Sequence, residues 1–239
     1  MAKINPGALF LVATPIGNLE DLSPRAKRTL SESEIVLAED TRKTGQMLKA
    51  LKTDRVGKLV SYYQENELAR IPEVVSWLKQ GENVSLVSNA GTPLISDPGY
   101  RLVQEAIRQG FKIVPIPGPS ALLTALIASG LPCDRFIFLG FLPKRVGRKK
   151  KVFSELAGMK QLNTVVFYES PNRLSITLVI IKELFGNVPV VVGREMTKLY
   201  EQFVRGDLDQ VALTLEKDKA IKGEVTVVFR FNQKKSVVN

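Results

Sequence analysis

The chain has 239 residues, 44% of them hydrophobic and 24% charged, a balance typical of soluble globular proteins that excludes global disorder. Lys and Arg number 34 against 24 Asp and Glu, so the formal net charge is +10, and a polyanionic partner is favoured. Cys133 is the single cysteine and histidine is absent, which excludes an internal disulfide, a cysteine-based zinc site and a histidine general base.

Neither a secretory signal nor a membrane span is predicted. The first apolar run, residues 8–13, is too short for a signal sequence. The longest apolar stretch, residues 121–131, is interrupted by polar residues and falls short of the roughly 20 residues that a span needs. We therefore expect a cytoplasmic protein. We also expect no metal, because no carboxylates are spaced as a metal cluster.

The first half of the chain alternates short apolar runs with helical patterns. Ile71, Val74, Val75 and Leu78 recur at helical spacing, and Gly81 follows as a stop. Strands are predicted at residues 9–12, 35–38, 59–60, 84–87 and 112–116, and the clearest helices at 67–80 and 100–109. This alternation predicts βαβ units and a mainly parallel sheet.

The second half begins after a proline-rich stretch and has a different order of elements. Strands are predicted at residues 136–139, 164–168, 188–192 and 225–231, and helices at 120–128, 149–157, 172–184 and 208–215. The prolines at 115, 117 and 119 mark the boundary. The prediction is therefore an N-terminal α/β domain at residues 1–116 and a C-terminal α/β domain at residues 117–239.

Three predicted strand ends are followed by loops rich in Gly, Pro, Thr and Asn. These loops span residues 13–18, 88–99 and 117–121, after the first, fourth and fifth strands. Neither the dinucleotide fingerprint nor the P-loop pattern is present. Ligands of parallel sheets bind beyond the carboxyl ends of the strands. Taken singly, each loop is explained as a plain turn. Three such loops at one edge of the sheet favour a binding site for a small molecule.

Eight segments in order resemble the ribosomal RNA small subunit methyltransferase I family, a branch of the tetrapyrrole methylases. The segments are LVATPIGNLEDLS, VLAEDTRKTGQ, SNAGTPLISDPG, PIPGPSALLTAL, FLGFLP with the basic cluster behind it, VVFYESPNRL, REMTKLYE and GEVTVV. Each segment alone is a weak signal, but together they extend from residue 9 to about 229, which is nearly the whole chain.

The resemblance implies a two-domain, class III tetrapyrrole-methylase-like fold. Each domain would be a mainly parallel or mixed sheet flanked by helices, with S-adenosylmethionine in a cleft between the domains of a homodimeric enzyme. The implied partner is 16S ribosomal RNA or the small ribosomal subunit. The implied product is a 2′-O-methylated cytidine in the decoding region.

Candidate cofactor-binding residues come from the three loops and from one later strand. They are Pro15, Gly17, Asn89, Gly91, Thr92, Ile95, Ser120, Ala121 and Tyr168. One residue departs from the family pattern, since Asn89 stands where the family has Asp in Ser-Asp-Ala-Gly-Thr-Pro. Because Asn and Asp cap loops with the same geometry, we expect Asn89 to be a structural cap.

A base that removes the proton of a ribose hydroxyl would assist methyl transfer, and without histidine the candidates are carboxylates, Lys or Tyr near the strand ends. Asp40, next to Glu39, follows the second strand, and Glu169 follows the strand at 164–168. Asp40 and Glu169 are therefore the predicted catalytic residues. Taken singly, each is better explained as a helix cap or a surface carboxylate.

A basic cluster follows the FLGFLP segment and contains no acidic residue. The predicted RNA-binding residues are Lys144, Arg145, Arg148, Lys149, Lys150 and Lys151, with Arg42 and Arg173 as additions. Docking of RNA phosphates is favoured over a merely solvated face. Aromatic residues at 62, 63, 141 and 168 could stack a splayed base, although Phe141 is expected in the core.

Two other functions compete with this interpretation. A small-molecule methyltransferase of the same fold would also suit a charge of +10, because tetrapyrroles carry many carboxylates. Small-molecule members of the family resemble one another in a glycine-rich first loop and a Gly-Asp-Pro sequence after the fourth strand. This chain has ATPIGN in the first loop and Gly91-Thr92-Pro93 in the second, which favours the RNA branch. An RNA-binding relative that has lost methyl transfer is suggested only by Asn89.

Overall fold

The computed structural model describes residues 5–53, 57–159, 163–217 and 223–231. The chain divides into two compact units, Met1–Ser120 and Ala121–Asn239. Each unit contains one sheet with helices packed against it, which confirms the predicted α/β fold class. In the described residues, no helix has both the length and the apolar character that crossing a membrane requires.

The first unit is a parallel sheet with helical crossovers. Its elements are β1 (Ala8–Val12), a 3-10 turn (Leu19–Asp21), α1 (Pro24–Glu32), β2 (Ile35–Ala38), α2 (Thr41–Ala50), β3 (Lys58–Ser61), α3 (Glu67–Lys79), β4 (Val84–Val87), α4 (Tyr100–Arg108) and β5 (Lys112–Ile116). The strand order is β3-β2-β4-β1-β5, and every neighbouring pair runs parallel. The predicted parallel sheet is therefore confirmed.

The apolar strand runs of this unit exist because both faces of the sheet are covered. Within β2, Ile35 and Leu37 join a core on one face, whereas Val36 and Ala38 join a second core on the other. Successive residues of a strand point to opposite faces, so a strand covered on both sides is apolar at nearly every position. A four-residue run such as that of β2 is thereby recognisable in the sequence.

The second unit contains a mixed sheet. Its elements are α5 (Ala121–Ala128), β6 (Phe136–Phe141), α6 (Val146–Ala157), β7 (Asn163–Glu169), α7 (Pro171–Phe185), β8 (Pro189–Arg194), β9 (Gln202–Asp207), α8 (Leu208–Lys217) and β10 (Val225–Phe231). The strand order is β6-β7-β10-β8-β9; β6 and β7 pair in parallel, and the pairs β7–β10, β10–β8 and β8–β9 are antiparallel. Edge-to-face contacts among Phe153, Phe167 and Phe229 lie in its core.

The sequence did not predict β9. Among the strands that the structure describes, this one pairs with β8 and forms the edge of the sheet. Exposed and more covered positions alternate over residues 204–207, and Gly206 and Asp207 at its end are residue types depleted in strands. An edge strand of this composition has no continuous apolar run, and so it has no strong signal in the sequence.

Candidate functional site

The strand order of the first unit brings the three predicted loops together. β1 lies between β4 and β5, and all three strands point the same way, so their carboxyl ends meet at one edge of the sheet. The loop after β1 is hydrogen-bonded to the loop after β4 through an isolated antiparallel β-bridge between Thr14 and Gly91. The Thr14 N–H donates to the Gly91 carbonyl at 2.9 Å, and the Gly91 N–H donates back to Thr14 at 2.9 Å.

The loop after β5 is tied to the other two. The Thr92 hydroxyl donates to the Pro119 carbonyl at 3.0 Å. A Cβ at Gly118 would lie 3.0 Å from the Ala13 Cβ, so these two loops approach so closely that a side chain at 118 would crowd the contact. The three loops are therefore one packed group.

The backbone of the loop after β4 is unusual. Gly91, Leu94 and Ser96 all have positive φ, at 81°, 72° and 69°. Such angles are unfavourable for Leu and Ser, and they persist only where the surrounding structure enforces them, often at functional sites. Because Gly91 also bonds to Thr14, the loop holds its backbone groups in one arrangement at the sheet edge.

The predicted cofactor-binding residues fall into two sets. The packed loops of the first unit contain Pro15, Gly17, Gly91, Thr92 and Ile95. Ser120 is the last residue of that unit. Ala121 and Tyr168 belong to the second unit, where Ala121 begins α5. The Tyr168 ring packs against Phe138 and Phe141, with ring centroids 5.0 and 5.2 Å away.

Asn89 does not form the capping bond that the sequence predicts. It is exposed, and within the described parts of the chain no hydrogen bond of its side chain is formed. The loop is held at the next residues instead: the Ser88 hydroxyl lies 3.1 Å from the Ala90 carbonyl, and Gly91 forms the bridge to Thr14.

Asp40 is the N-cap of α2. Its carboxylate accepts a hydrogen bond from the backbone N–H of Arg42 at 3.0 Å, and the Arg42 guanidinium lies 3.2 Å away. These bonds lower the pKa of Asp40, the side-chain bond with Arg42 being the largest cause. A lowered pKa makes Asp40 a weaker proton acceptor, so the contacts give it a structural function. Its role in catalysis stays a prediction.

Glu169 is buried in an ion-pair network of the second unit. One carboxylate oxygen accepts from Lys149 Nζ at 2.6 Å and lies 2.8 Å from the Thr177 hydroxyl. The other oxygen accepts from Arg173 at 2.7 Å and from the Ser170 N–H at 2.8 Å. Lys149 and Glu169 are 1% and 0% exposed, so the network holds β7, α6 and α7 together rather than facing solvent.

The predicted basic cluster separates into exposed and buried members. The side chains at 144, 145, 148, 150 and 151 are exposed; we call these five residues the exposed basic group. Lys149 is the exception, and its assignment to a phosphate-binding surface is wrong because its ammonium is enclosed by Glu169 and Thr177. Lys149 lies four residues before Phe153 and seven before Leu156, on the buried face of α6.

The two RNA-binding candidates outside this cluster lie in different settings. The Arg42 side chain is 87% exposed and pairs with Asp40. The Arg173 side chain is 24% exposed and pairs with Glu169, so most of its surface is already used within the second unit.

The aromatic candidates for base stacking also divide by exposure. Tyr62 is fully buried and its hydroxyl donates to Glu67 at 3.0 Å, so it cannot stack on a ligand. Tyr63 is 40% exposed. Phe141, expected in the core, is 62% exposed, because it is the last residue of the edge strand β6.

A further cleft in the first unit was not predicted from the sequence. It has a volume of about 570 Å³ and opens at the carboxyl ends of β2, β3 and β4. It is lined by Glu39, Tyr63, Gln64, Glu65, Glu67, Ser96, Asp97, Pro98, Gly99, Tyr100 and Arg101. Four carboxylates are present, yet in the residues that the structure describes no three metal-binding side chains are placed to hold a metal ion.

Asp97 is a partly buried carboxyl group in this cleft. Burial raises its pKa to about 6, the negative charge of Glu39 adds to the rise, and the Ser88 hydroxyl acts in the opposite direction. Asp97 lies within the loop after β4, and no local sequence pattern assigns it a role. Glu39 and Asp97 are distant in sequence, and they come close together because β2 and β4 are neighbouring strands. Their proximity is therefore visible only in the fold.

Comparison with known proteins agrees with this architecture. A family model described as Tetrapyrrole (Corrin/Porphyrin) Methylases matches residues 8–212. Among solved structures, uroporphyrin-III C-methyltransferase from Thermus thermophilus complexed with S-adenosylhomocysteine has a TM-score of 0.62 at 21% identity, covering 93% of this chain and 97% of that chain. Cobalt precorrin-4 methyltransferase has a TM-score of 0.66 at 14% identity, with coverage of 93% and 94%. At these identities the likeness concerns the fold.

Curated relatives are much closer in sequence. A protein of Halalkalibacterium halodurans named Ribosomal RNA small subunit methyltransferase I is 45% identical over 229 residues, which is 96% of this chain and 78% of that protein. A Thermotoga maritima protein of the same name is 45% identical over 222 residues, or 93% and 97% of the two chains. The chain therefore belongs to the tetrapyrrole methylase family and, within it, to the group of ribosomal RNA small subunit methyltransferase I proteins.

Proposed function

We propose that this protein transfers a methyl group from S-adenosylmethionine to the ribose 2′ oxygen of a cytidine in the decoding region of 16S ribosomal RNA. The observation that carries the proposal is the similarity to relatives named for small-subunit ribosomal RNA methylation, which spans nearly the whole chain. The nucleotide and the 2′ oxygen come from the family resemblance of the eight sequence segments. The fold neighbour complexed with S-adenosylhomocysteine supports the choice of methyl donor.

The packed loops of the first unit are the proposed binding site for the methyl donor. Their backbone N–H and C=O groups suit the edge of an adenine and a carboxylate, and the fixed geometry around Gly91 orients them in advance. S-adenosylmethionine supplies a methyl group already activated on a sulfonium. The chain's own contribution is then to hold donor and acceptor in line and to exclude water.

The exposed basic group is the proposed RNA contact. It surrounds the start of α6, where Arg145 is the N-cap without a side-chain capping bond and the first turn has no acidic residue. Free N–H groups and the helix dipole favour an anion at such a helix start, and the neighbouring Lys and Arg side chains add to that attraction. Phosphate groups of RNA meet this requirement.

The decisive experiment is incubation of the purified protein with isotope-labelled S-adenosylmethionine and either 16S RNA or assembled small subunits. Mass mapping of nuclease fragments should locate one methyl group on the ribose of a decoding-region cytidine. Label on a base, or no label in either substrate, would contradict the proposal.

Gly91→Val should weaken binding of S-adenosylmethionine at least tenfold. The new side chain would begin 3.4 Å from the Ile16 side chain, at φ 81°, and would disturb the bridge to Thr14. Titration calorimetry on folded protein measures the affinity. The matched control is Gly110→Val, which places the same side chain at φ 76° with no atom within 4 Å. Equal affinities in the two variants would contradict the assignment of the loops.

Asn89→Asp should leave turnover and the melting temperature nearly unchanged. The side chain is exposed and contributes no hydrogen bond to the described loop, so the exchange alters only a surface charge, an effect of about 0.5 kcal/mol or less. Steady-state kinetics and thermal unfolding measure the two quantities. A large gain in turnover would show that Asn89 impairs the enzyme.

A further inference from the structure

The cleft at the ends of β2, β3 and β4 is separate in position from the loops around Gly91, but the two share one segment. The loop after β4 contributes Gly91 and Thr92 to the packed loops and then Ser96 to Gly99 to the cleft. A molecule in the cleft therefore lies beside the loop that we propose for the methyl donor.

The wall of the cleft is held rigidly by Glu67. This residue is 7% exposed, and one carboxylate oxygen accepts from both the Tyr62 hydroxyl at 3.0 Å and the Gly99 N–H at 3.1 Å. The bonds join the end of β3, the start of α3 and the start of α4. Because both bonds are made by buried groups, the segment carrying Asp97 is fixed relative to the other walls.

Two aromatic side chains and one cation border the same space. Tyr63 is 40% exposed and Tyr100 65% exposed, which leaves ring faces available to a flat ligand. Arg101 follows Tyr100 on α4 and is exposed. Exposed aromatic rings are the usual means by which proteins hold an unstacked RNA base, and an arginine beside them can meet a phosphate.

The charge of the cleft favours a sugar and a cationic donor over a phosphate group. Glu39, Glu65, Glu67 and Asp97 are opposed among the lining residues by Arg101 alone. A phosphate deep in the cleft would be repelled, whereas a sulfonium near it would be stabilised. A nucleoside with its phosphates directed outward fits this distribution.

We propose that the cleft receives the target nucleoside and that Asp97 is the general base for its ribose hydroxyl. The inference rests on the proposed function and deepens it. The hydroxyl proton passes to an Asp97 carboxylate oxygen while the ribose oxygen forms its bond to the methyl carbon. The carbon–sulfur bond breaks with its electron pair left on sulfur, so charge and atoms balance. Asp40 and Glu169 are less suited, because a cation neutralises each of them.

The ionisation of Asp97 supports this role. Its pKa is raised to about 6, so the carboxyl is mostly ionised at neutral pH and is a stronger base than an ordinary aspartate. The charged or titratable groups that line the cleft with it are Glu39 after β2, Tyr63, Glu65 and Glu67 before and within α3, and Tyr100 and Arg101 on α4. The rate should rise through pH 6 and be level above it, because the active form is the deprotonated one.

The first test is Asp97→Asn. We expect turnover to fall about 100-fold or more, the usual contribution of a general base, with RNA affinity unchanged. S-adenosylmethionine affinity should change little in comparison, because Glu39, Glu65 and Glu67 remain. The remaining activity should lose its rise through pH 6. Asp134→Asn, at an exposed carboxylate outside the cleft, is the matched control and should retain the wild-type rate and profile.

The second test is Glu39→Gln, which does not depend on the stability of the first variant. Removing the negative charge of Glu39 should lower the pKa of Asp97, so the rising limb of the pH–rate profile should move to lower pH. A purely structural role for Asp97 would not move this midpoint. An unmoved midpoint would overturn the role of Asp97 as the base.

The outcomes separate this inference from the proposed function. If the wild type methylates 16S RNA and Asp97→Asn does so at a similar rate, the general-base assignment is wrong and the proposed function stands. If the wild type leaves both 16S RNA and small subunits unmethylated, both are contradicted. The general-base assignment and the proposed function are both supported if Asp97→Asn loses turnover but retains its affinities and the rising limb of the pH–rate profile moves to lower pH in Glu39→Gln.

Discussion

Glu169→Gln should destabilise the protein by about 3–5 kcal/mol, a large part of the free energy of unfolding of a typical domain. The substitution leaves the buried Lys149 ammonium and the Arg173 guanidinium without their shared carboxylate. Lys149→Met should cost less, because Glu169 would keep Arg173 and the Ser170 N–H as partners. Urea unfolding followed by circular dichroism measures both changes.

The neighbouring lysine is the matched control for this prediction. Lys150 pairs with Glu183 at 2.6 Å, but the two side chains are 46% and 50% exposed. Lys150→Met should therefore cost less than about 1 kcal/mol, since water screens the pair. The double variant of Lys149 and Glu169 should lose less stability than the sum of the single changes. Additive losses would contradict a coupled ion pair.

The same variants bear on the predicted catalytic role of Glu169. Turnover of Glu169→Gln is to be measured at a temperature at which the variant is fully folded. A group that only holds α6, α7 and β7 together should then leave turnover within a few-fold of wild type. A loss of 100-fold or more in folded protein, the scale of a missing acid or base, would restore the catalytic assignment.

Replacing Arg148, Lys150 and Lys151 with Ala should weaken RNA binding and flatten its dependence on salt. Each phosphate contact that is lost should lower the log–log slope by roughly one unit, so the triple variant should lose about three units. Lys149 is left in place because it is buried and its removal would test stability instead. RNA affinity at several salt concentrations measures the slope, and S-adenosylmethionine affinity should not change.

A second triple variant removes the same charge elsewhere and controls for net charge. Arg25, Arg28 and Lys112 are exposed in the first unit, and Lys112 begins β5 at the amino end of the sheet, away from the candidate loops. Their replacement with Ala should alter the slope by less than one unit. Equal slopes in both triple variants would show that the exposed basic group has no particular contact with RNA.

The sequence by itself determined the fold class and most of the elements. Runs such as residues 9–12 and 35–38 are apolar at every position, a pattern that predicts strands covered on both faces. Motifs in order also identified the family, which the relatives confirm. Apolar runs and the order of motifs are properties of the sequence itself, so they can be read without knowing which strands are neighbours. The edge strand β9 lacked such a pattern and was missed.

Only the tertiary structure decided which charged groups are available for chemistry or binding. Lys149 stands in a row of basic residues, yet the turn of α6 places it beside Phe153 on the buried face, opposite Glu169 of β7. Asp97 and Glu39 are 58 residues apart and become neighbours through the pairing of β2 with β4. Exposure and ionisation depend on what surrounds a group in space, and a local sequence pattern does not contain that information.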